Sequence, residues 1–232
     1  QFKKWLDAAA YPVTIDPDFA GGTNDIRLSG RDSSAYSITH STSHSTSPSN
    51  GTTYSVLNSL ISGVFYIYRP HLSFDTSSIG AGSTVTQVNL SLYCTEKVTT
   101  GGNTDVDIVK KDWSQLAGDI TNATYIETAY DNALTADLDD SIWKNTADVS
   151  ANTRYASGNL STAWVSKTGT TYYGLLLDTD RDNVQPSGNT YVMLASADHA
   201  TESYRPVLTV TYTEGSTGVP KHFLHYARLR SN

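Results

Sequence analysis

Apolar and polar residues alternate along much of this chain. From Gln87 to Cys94, the residues Val88, Leu90, Leu92 and Cys94 share one parity, and Gln87, Asn89, Ser91 and Tyr93 share the other. That period of two predicts a strand with one buried and one wet face. Leu208, Val210 and Tyr212 alternate with Thr209 and Thr211 in the same way. β-Branched and aromatic enrichment predicts further strands at Val13–Ile15, Val64–Phe74, Val106–Val109, Tyr172–Leu177 and Tyr191–Ala195. Turn formers lie between them, as at Gly80-Ala81-Gly82, Gly101-Gly102-Asn103 and Pro186-Ser187-Gly188-Asn189. No helical periodicity runs long enough to carry a crossover between parallel strands. The expected fold is therefore all-β, an antiparallel β-sandwich or jelly roll. Short helices are expected at Lys3–Ala10 and within Thr135–Trp143.

The pattern divides the chain into an N-terminal arm or linker (1–10), one β-sandwich domain (11–213) and a C-terminal tail (214–232). Within the domain, Ser33–Ser55 is too polar to contribute much core. It is expected to be a functional loop, a mobile loop or a weak edge strand. The tail carries Lys221, Arg228 and Arg230 among Phe223, Leu224, Tyr226 and Leu229. A basic, aromatic tail on an acidic chain suggests docking onto something negative. Trp5, Phe223, Tyr226, Arg228 and Arg230 are accordingly candidate contacts with other copies of the chain. The chain begins with Gln1 rather than Met, from which the expectation is either a removed upstream segment or a piece of a larger protein.

Composition narrows the function classes. Only 17% of the 232 residues are charged, which disfavours coiled coils and helical bundles. The net charge of −7, with no block of Lys or Arg, argues against nucleic acid or an anionic membrane as partner. No apolar stretch approaches the roughly 18 residues needed for membrane insertion. The single cysteine, Cys94, allows neither an internal disulfide nor a cysteine-based zinc site, and its parity places it in the core.

Candidate chemistry rests on three groups. Arg69-Pro70-His71-Leu72-Ser73-Phe74 echoes Arg205-Pro206-Val207-Leu208-Thr209-Val210. Leu72 and Phe74 then point inward, and Arg69, His71 and Arg205 point outward. On neighbouring strands they would make a basic patch whose guanidinium forks suit the carboxylates or sulfates of an acidic polysaccharide. The alternative is a structural arginine paired with an aspartate such as Asp75. The second group is aromatic, drawn from 15 Tyr and 4 Trp. Tyr93 projects outward, and Trp113 and Trp143 lie near loops where a flat ring could meet the apolar side of a sugar; packing of the β core is the other use for them. The third is Asp178-Thr179-Asp180-Arg181-Asp182-Asn183, whose alternating carboxylates resemble a calcium loop. It lacks the glycine and glutamate of an EF-hand, having Asn183 and Asn189 at the sixth and twelfth positions. Asp178, Asp180, Asp182 and Asn183 are thus candidate calcium ligands or an ordinary acidic turn. No cofactor is otherwise implied. With no Gly-x-Ser-x-Gly, His-Glu-x-x-His or phosphate-binding glycine loop, an enzyme is not expected. A lyase using His71 beside Arg69 is the weaker alternative.

Several of these segments fall in a familiar order. Arg69-Pro70-His71-Leu72-Ser73-Phe74-Asp75 is followed by Ile79–Val85, the strand to Tyr93, Trp164, Tyr173-Gly174-Leu175 and Ser203–Tyr212. Over roughly residues 60–213 the chain resembles the DNRLRE-type (disaggregatase-related) domain. Trp5-Leu6 and Tyr11–Pro17 are similar to the junction that precedes such domains. Asp112–Thr146 departs from the family's tryptophan-rich stretch, keeping only Trp113 and Trp143. The resemblance implies a jelly-roll module of secreted, surface or phage-associated proteins, some of which bind carbohydrate beside polysaccharide-degrading enzymes. The function it implies is a non-catalytic extracellular module that binds a polysaccharide or surface glycan, within a larger surface or virion assembly. The alternative is a self-assembling subunit of a filament or phage particle that works through its terminal arms.

Overall fold

A computed structural model describes residues 14–22, 25–42, 51–135 and 142–214. In these residues twelve strands pair antiparallel. They are β1 (Thr14–Ile15), β2 (Asp18–Ala20), β3 (Ile26–Asp32), β4 (Thr53–Ile61), β5 (Val64–Asp75), β6 (Thr84–Thr99), β7 (Asp105–Lys110), β8 (Ile142–Asn145), β9 (Thr153–Ala156), β10 (Thr170–Leu177), β11 (Thr190–Ala195) and β12 (Val207–Thr213). The hydrogen-bonded order is β1-β12-β6-β11-β4-β5-β10-β7-β8, with β2 on β12, β3 on β5 and β9 on β6. This is an all-β, antiparallel sandwich of the jelly-roll kind. Among the described residues four α-helices accompany it: α1 (Tyr36–Ser41), α2 (Ser114–Gly118), α3 (Ala123–Asn132) and α4 (Asp178–Arg181). Among the described residues no helix is long and apolar enough to cross a membrane.

The period-two reading holds where it is strongest. Val88, Leu90, Leu92 and Cys94 of β6 enter one apolar core with Leu208 and Val210 of β12 and Leu72 and Phe74 of β5. Burying side chains of this size contributes roughly 1.5–3 kcal/mol each, so this core dominates the fold's stability.

The corner of the sandwich lies in β5. β3 pairs along one edge of β5 from Phe65 to His71. On the other edge β4 pairs with 64–68 and β10 with 71–75. Arg69 and Pro70 are the two positions where the sheet divides. Proline, with no N–H to offer a ladder, suits the gap. From Phe65 to Ser73 the odd-numbered side chains of β5 do not face water. Phe65 and Ile67 join Ile26 and Leu28 of β3 in a second core, closed by Tyr36, Trp113, Leu116, Ile126, Ala129 and Tyr130. A helical layer made by α1, α2 and α3 thus covers the face that the alternation assigns to solvent. Gly30 is where that layer comes closest: an added Cβ would collide with the Tyr130 hydroxyl and the Thr39 carbonyl.

Two segments differ from expectation. Ser33–Ser55 is not a plain loop. The Asp32 carboxylate accepts hydrogen bonds from the Ser34 and Ala35 N–H groups at 2.6 and 3.0 Å, which leads into α1, and β4 begins at Thr53. Residues 43–50 lie outside the described residues. The helix expected within Thr135–Trp143 gives way at its described end to β8, because Trp143 there plugs the main core. Lys3–Ala10 lies outside the described residues. The longest helix among the described residues, α3, starts on Asn122, whose side chain accepts from the N–H groups of Thr124 and Tyr125. Asn122→Ala should cost about 1 kcal/mol in urea unfolding, and Asn122→Ser should recover most of it.

Candidate functional site

The residues chosen from sequence separate in space. Arg69 and His71 have no exposed surface. Arg69 is the hub of the second core. Its Nε and Nη2 bind the two oxygens of Asp180 at 2.7 and 2.8 Å. Nη1 donates to the Tyr130 carbonyl at 2.8 Å, and Nη2 also to the His40 carbonyl at 3.0 Å. The guanidinium lies over the Tyr130 ring, 3.9 Å from its centre. Burial opposes the charged guanidinium, but the adjacent Asp180 carboxylate outweighs it and holds the pKa above its ordinary value. The pairing with an aspartate is thus real, though the partner is Asp180 and not Asp75.

That pairing also reassigns the acidic run. Asp180 belongs to Arg69, Asp178 accepts from the Thr104 hydroxyl, and Asp182 accepts from Arg181 Nε at 2.9 Å. Arg181 Nη1 binds Asp107 as well. Burial pushes the Asp107 carboxyl up to about 6, against the pull of Arg181. Asp178, Asp180, Asp182 and Asn183 therefore do not make one oxygen cage. Among the described residues no three His, Cys, Asp or Glu side chains are grouped to hold a metal ion.

The other candidates are also packed. His71 Nδ1 sits 3.0 Å from the Arg69 carbonyl, and its ring meets Trp113 edge-on. Burial pushes the imidazole down to about 4. Fully enclosed, it offers no surface to a polymer. Trp113 is 2% exposed and donates to the Leu72 carbonyl; Trp143 is 1% exposed and donates to the Tyr155 carbonyl. Tyr93 does point to the outer side, yet Tyr204 stacks on it with ring centres 3.7 Å apart and covers it. Arg205 lies by that stack, donating to the His199 carbonyl at 2.9 Å. Arg205 lies just before β12, which is no neighbour of β5, so the basic patch with Arg69 and His71 does not form. Trp5, Phe223, Tyr226, Arg228 and Arg230 lie outside the described residues.

A different surface carries exposed aromatic and cationic groups together. Before the corner, the even-numbered side chains of β5, Tyr66 and Tyr68, stand half-exposed on the outer sheet face. The two rings meet edge to face at 6.4 Å. From β3, the Arg27 guanidinium lies 4.2 Å from the centre of the Tyr68 ring and that of Arg31 5.4 Å from Tyr66. Register places Leu57 and then Tyr191 beyond Tyr68 on the same face, where the Tyr191 hydroxyl donates to Glu96. The face thus runs from two arginines, over tyrosines, to an acid at its far side. A guanidinium over an aromatic ring sets positive charge beside an apolar face. Sequence reasoning missed this site although Ile26-Arg27-Leu28-Ser29-Gly30-Arg31 alternates openly. A scan against models of known protein families finds none that matches this chain, and no curated protein matches it either.

Proposed function

We propose that this chain is a non-catalytic extracellular module that binds an acidic glycan across the Arg27–Tyr68–Tyr66–Arg31 face. The observation that carries the reading is the pair of arginines held on half-exposed tyrosines in an open, regular sheet. Each element matches a part of such a polymer. The arginine forks match uronate carboxylates or sulfate esters, and the ring faces and edges match the C–H side of the sugar. The strand spacing of about 4.8 Å presents the groups at intervals along a rigid plane. A rigid plane suits recognition of a repeating chain better than a deep pocket does. The resemblance to a domain family of which some members bind carbohydrate supports the same class of ligand.

The test is binding to immobilised uronate-containing, sulfated and neutral polysaccharides, at low and high salt. The expected result is retention on the charged polymers, weakened by salt. Arg27→Ala with Tyr66→Ala should weaken it at least tenfold while leaving the unfolding midpoint close to that of the parent. Retention that survives both substitutions, or none on any charged polymer, would sink the proposal.

A further inference from the structure

Three Asn-x-Ser/Thr triplets lie among the described residues, at Asn89-Leu90-Ser91, Asn122-Ala123-Thr124 and Asn159-Leu160-Ser161. Such triplets arise readily in a chain rich in Ser and Thr, so the pattern alone selects none of them. It marks an N-glycosylation acceptor where it stands on a surface loop, with the carboxamide and the hydroxyl two residues on both within reach. Two of the three fail that condition. Asn89 lies within β6, paired with Thr209 of β12. Its Nδ2, the atom that a sugar would take, already donates to the Ser157 and Gly158 carbonyls at 3.3 and 3.0 Å and to Asn159 Oδ1 at 3.3 Å. Asn122 is half-buried as the cap of α3, and Thr124 is held in the first turn of that helix.

Asn159 differs on each count. It is exposed and belongs to neither helix nor strand, lying between the end of β9 and a short 3-10 turn that starts at Thr162. Its Oδ1 accepts from Asn89, while its Nδ2 donates no hydrogen bond among the described residues. Leu160, 4% exposed, sits in the main core, and its N–H donates to the Val88 carbonyl at 2.9 Å. The Ser157 N–H on the Leu90 carbonyl at 2.8 Å, and the Leu90 N–H on the Ser157 hydroxyl at 3.0 Å, pin the same loop to β6. Ser161 is half-exposed, with extended backbone (φ −59°, ψ 124°), and its hydroxyl caps nothing. One buried leucine thus anchors the loop between the two polar members of the triplet and leaves both accessible.

We propose that Asn159 is a covalent modification site, N-glycosylated from a lipid pyrophosphate-linked oligosaccharide, and that Asn89 and Asn122 are not. Asn159 Nδ2 forms a bond to the anomeric carbon of the first sugar. The bond from that carbon to the pyrophosphate oxygen breaks, the leaving group keeps the electron pair, and Nδ2 gives up one proton. Nothing is oxidised or reduced. Oδ1 takes no part in the new bond, so it still accepts from Asn89. The glycan leaves the protein beside β6, with β11 and β4 between it and β5, so the tyrosine–arginine face stays open. The proposal rests on the extracellular part of the reading above, because this modification belongs to exported chains.

The experiment is peptide mass spectrometry of the intact chain isolated from its native source. Cleavage after Arg154 and Lys167 releases a peptide in which Asn159 heads the sole triplet. The expected result is a mass raised by whole sugar residues, with fragmentation placing them on Asn159, while the peptides that carry Asn89 and Asn122 show those two residues unmodified. Ser161→Ala, made in the same source, should lower occupancy at least tenfold without moving the unfolding midpoint, and Ser161→Thr should retain it. A purely structural role for the hydroxyl would not give that pairing of loss and rescue. An unmodified Asn159, sugar on Asn89 or Asn122, or occupancy that survives Ser161→Ala overturns the proposal. Retention of charged polymers by the Arg27 and Tyr66 face is measured separately, so the acidic-glycan reading can fail while Asn159 is occupied, and the reverse.

Discussion

Arg69→Met is expected to lower stability by about 3–5 kcal/mol, the usual cost of removing one partner from a buried ion pair. The loss comes mostly from what remains. The Asp180 carboxylate, 1% exposed, loses both strong donors, and the Tyr130 and His40 carbonyls lose theirs. Coulomb attraction at close range is what makes burial of either charge tolerable, and neither ion is accommodated alone. Arg69→Met combined with Asp180→Leu should therefore recover a large part of the loss. Urea unfolding of the two single variants and the double variant measures the coupling. Additive losses would mean that the pair contributes nothing beyond packing, and would contradict the hub described above.

Stability should also fall as the pH rises from about 6.5 to 8, and Asp25 is the cause. Its carboxyl is fully buried, with Oδ1 accepting from the Ser73 N–H at 2.9 Å and Oδ2 unpartnered among the described residues. Burial pushes its pKa up to about 8. In the unfolded chain it titrates near the ordinary value of about 3.9. Between those values the unfolded state has released a proton that the folded state still holds, so each pH unit costs up to about 1.4 kcal/mol. His71 has the opposite sign. Its folded pKa is about 4 against an unfolded value near 6.5, so it destabilises as the pH falls through that window. Asp107, pushed up to about 6, acts in the same sense as Asp25 over its own narrower range. Below about 6.5 the histidine cancels one carboxyl. From 6.5 to 8 the Asp25 slope remains, amounting to about 2 kcal/mol. Denaturation midpoints at the two pH values check this. Asp25→Asn, neutral at both, should remove the slope; a variant that keeps it would refute the assignment.

Much of the sandwich was legible because alternation reports burial on one side. Leu72, Phe74, Val88, Leu90, Leu208 and Val210 all face the main core as their parity predicts. What alternation cannot report is what covers the second side. Arg69 and His71 fall on the parity opposite Leu72, and nothing local to β5 announces that three helices from residues 36–132 close over them. The Asp178–Asn183 run misleads for a related reason. Closely spaced carboxylates look alike whether they await a cation or a guanidinium, and Asp180's partner stands 111 positions away. The tyrosine–arginine face was within reach, since β3 alternates as clearly as β6. Its rings escaped notice because Tyr66 and Tyr68 share a parity with core residues, and only the corner at Arg69–Pro70 turns them outward.

That corner also sets an order in time. Chains emerge from the ribosome N-terminus first and domains fold as units. β5 is made early, but β10, which completes its second edge, ends at Leu177, and Asp180 follows three residues later. Until then Arg69 has no anion to accompany it inward, so α1 and α3 cannot close over β5 without stranding a charge. Apolar Phe65, Ile67 and Leu72 must wait uncovered while more than a hundred further residues are added. The ion pair thus acts as a late latch, making the helical layer one of the last parts of the newborn protein to settle.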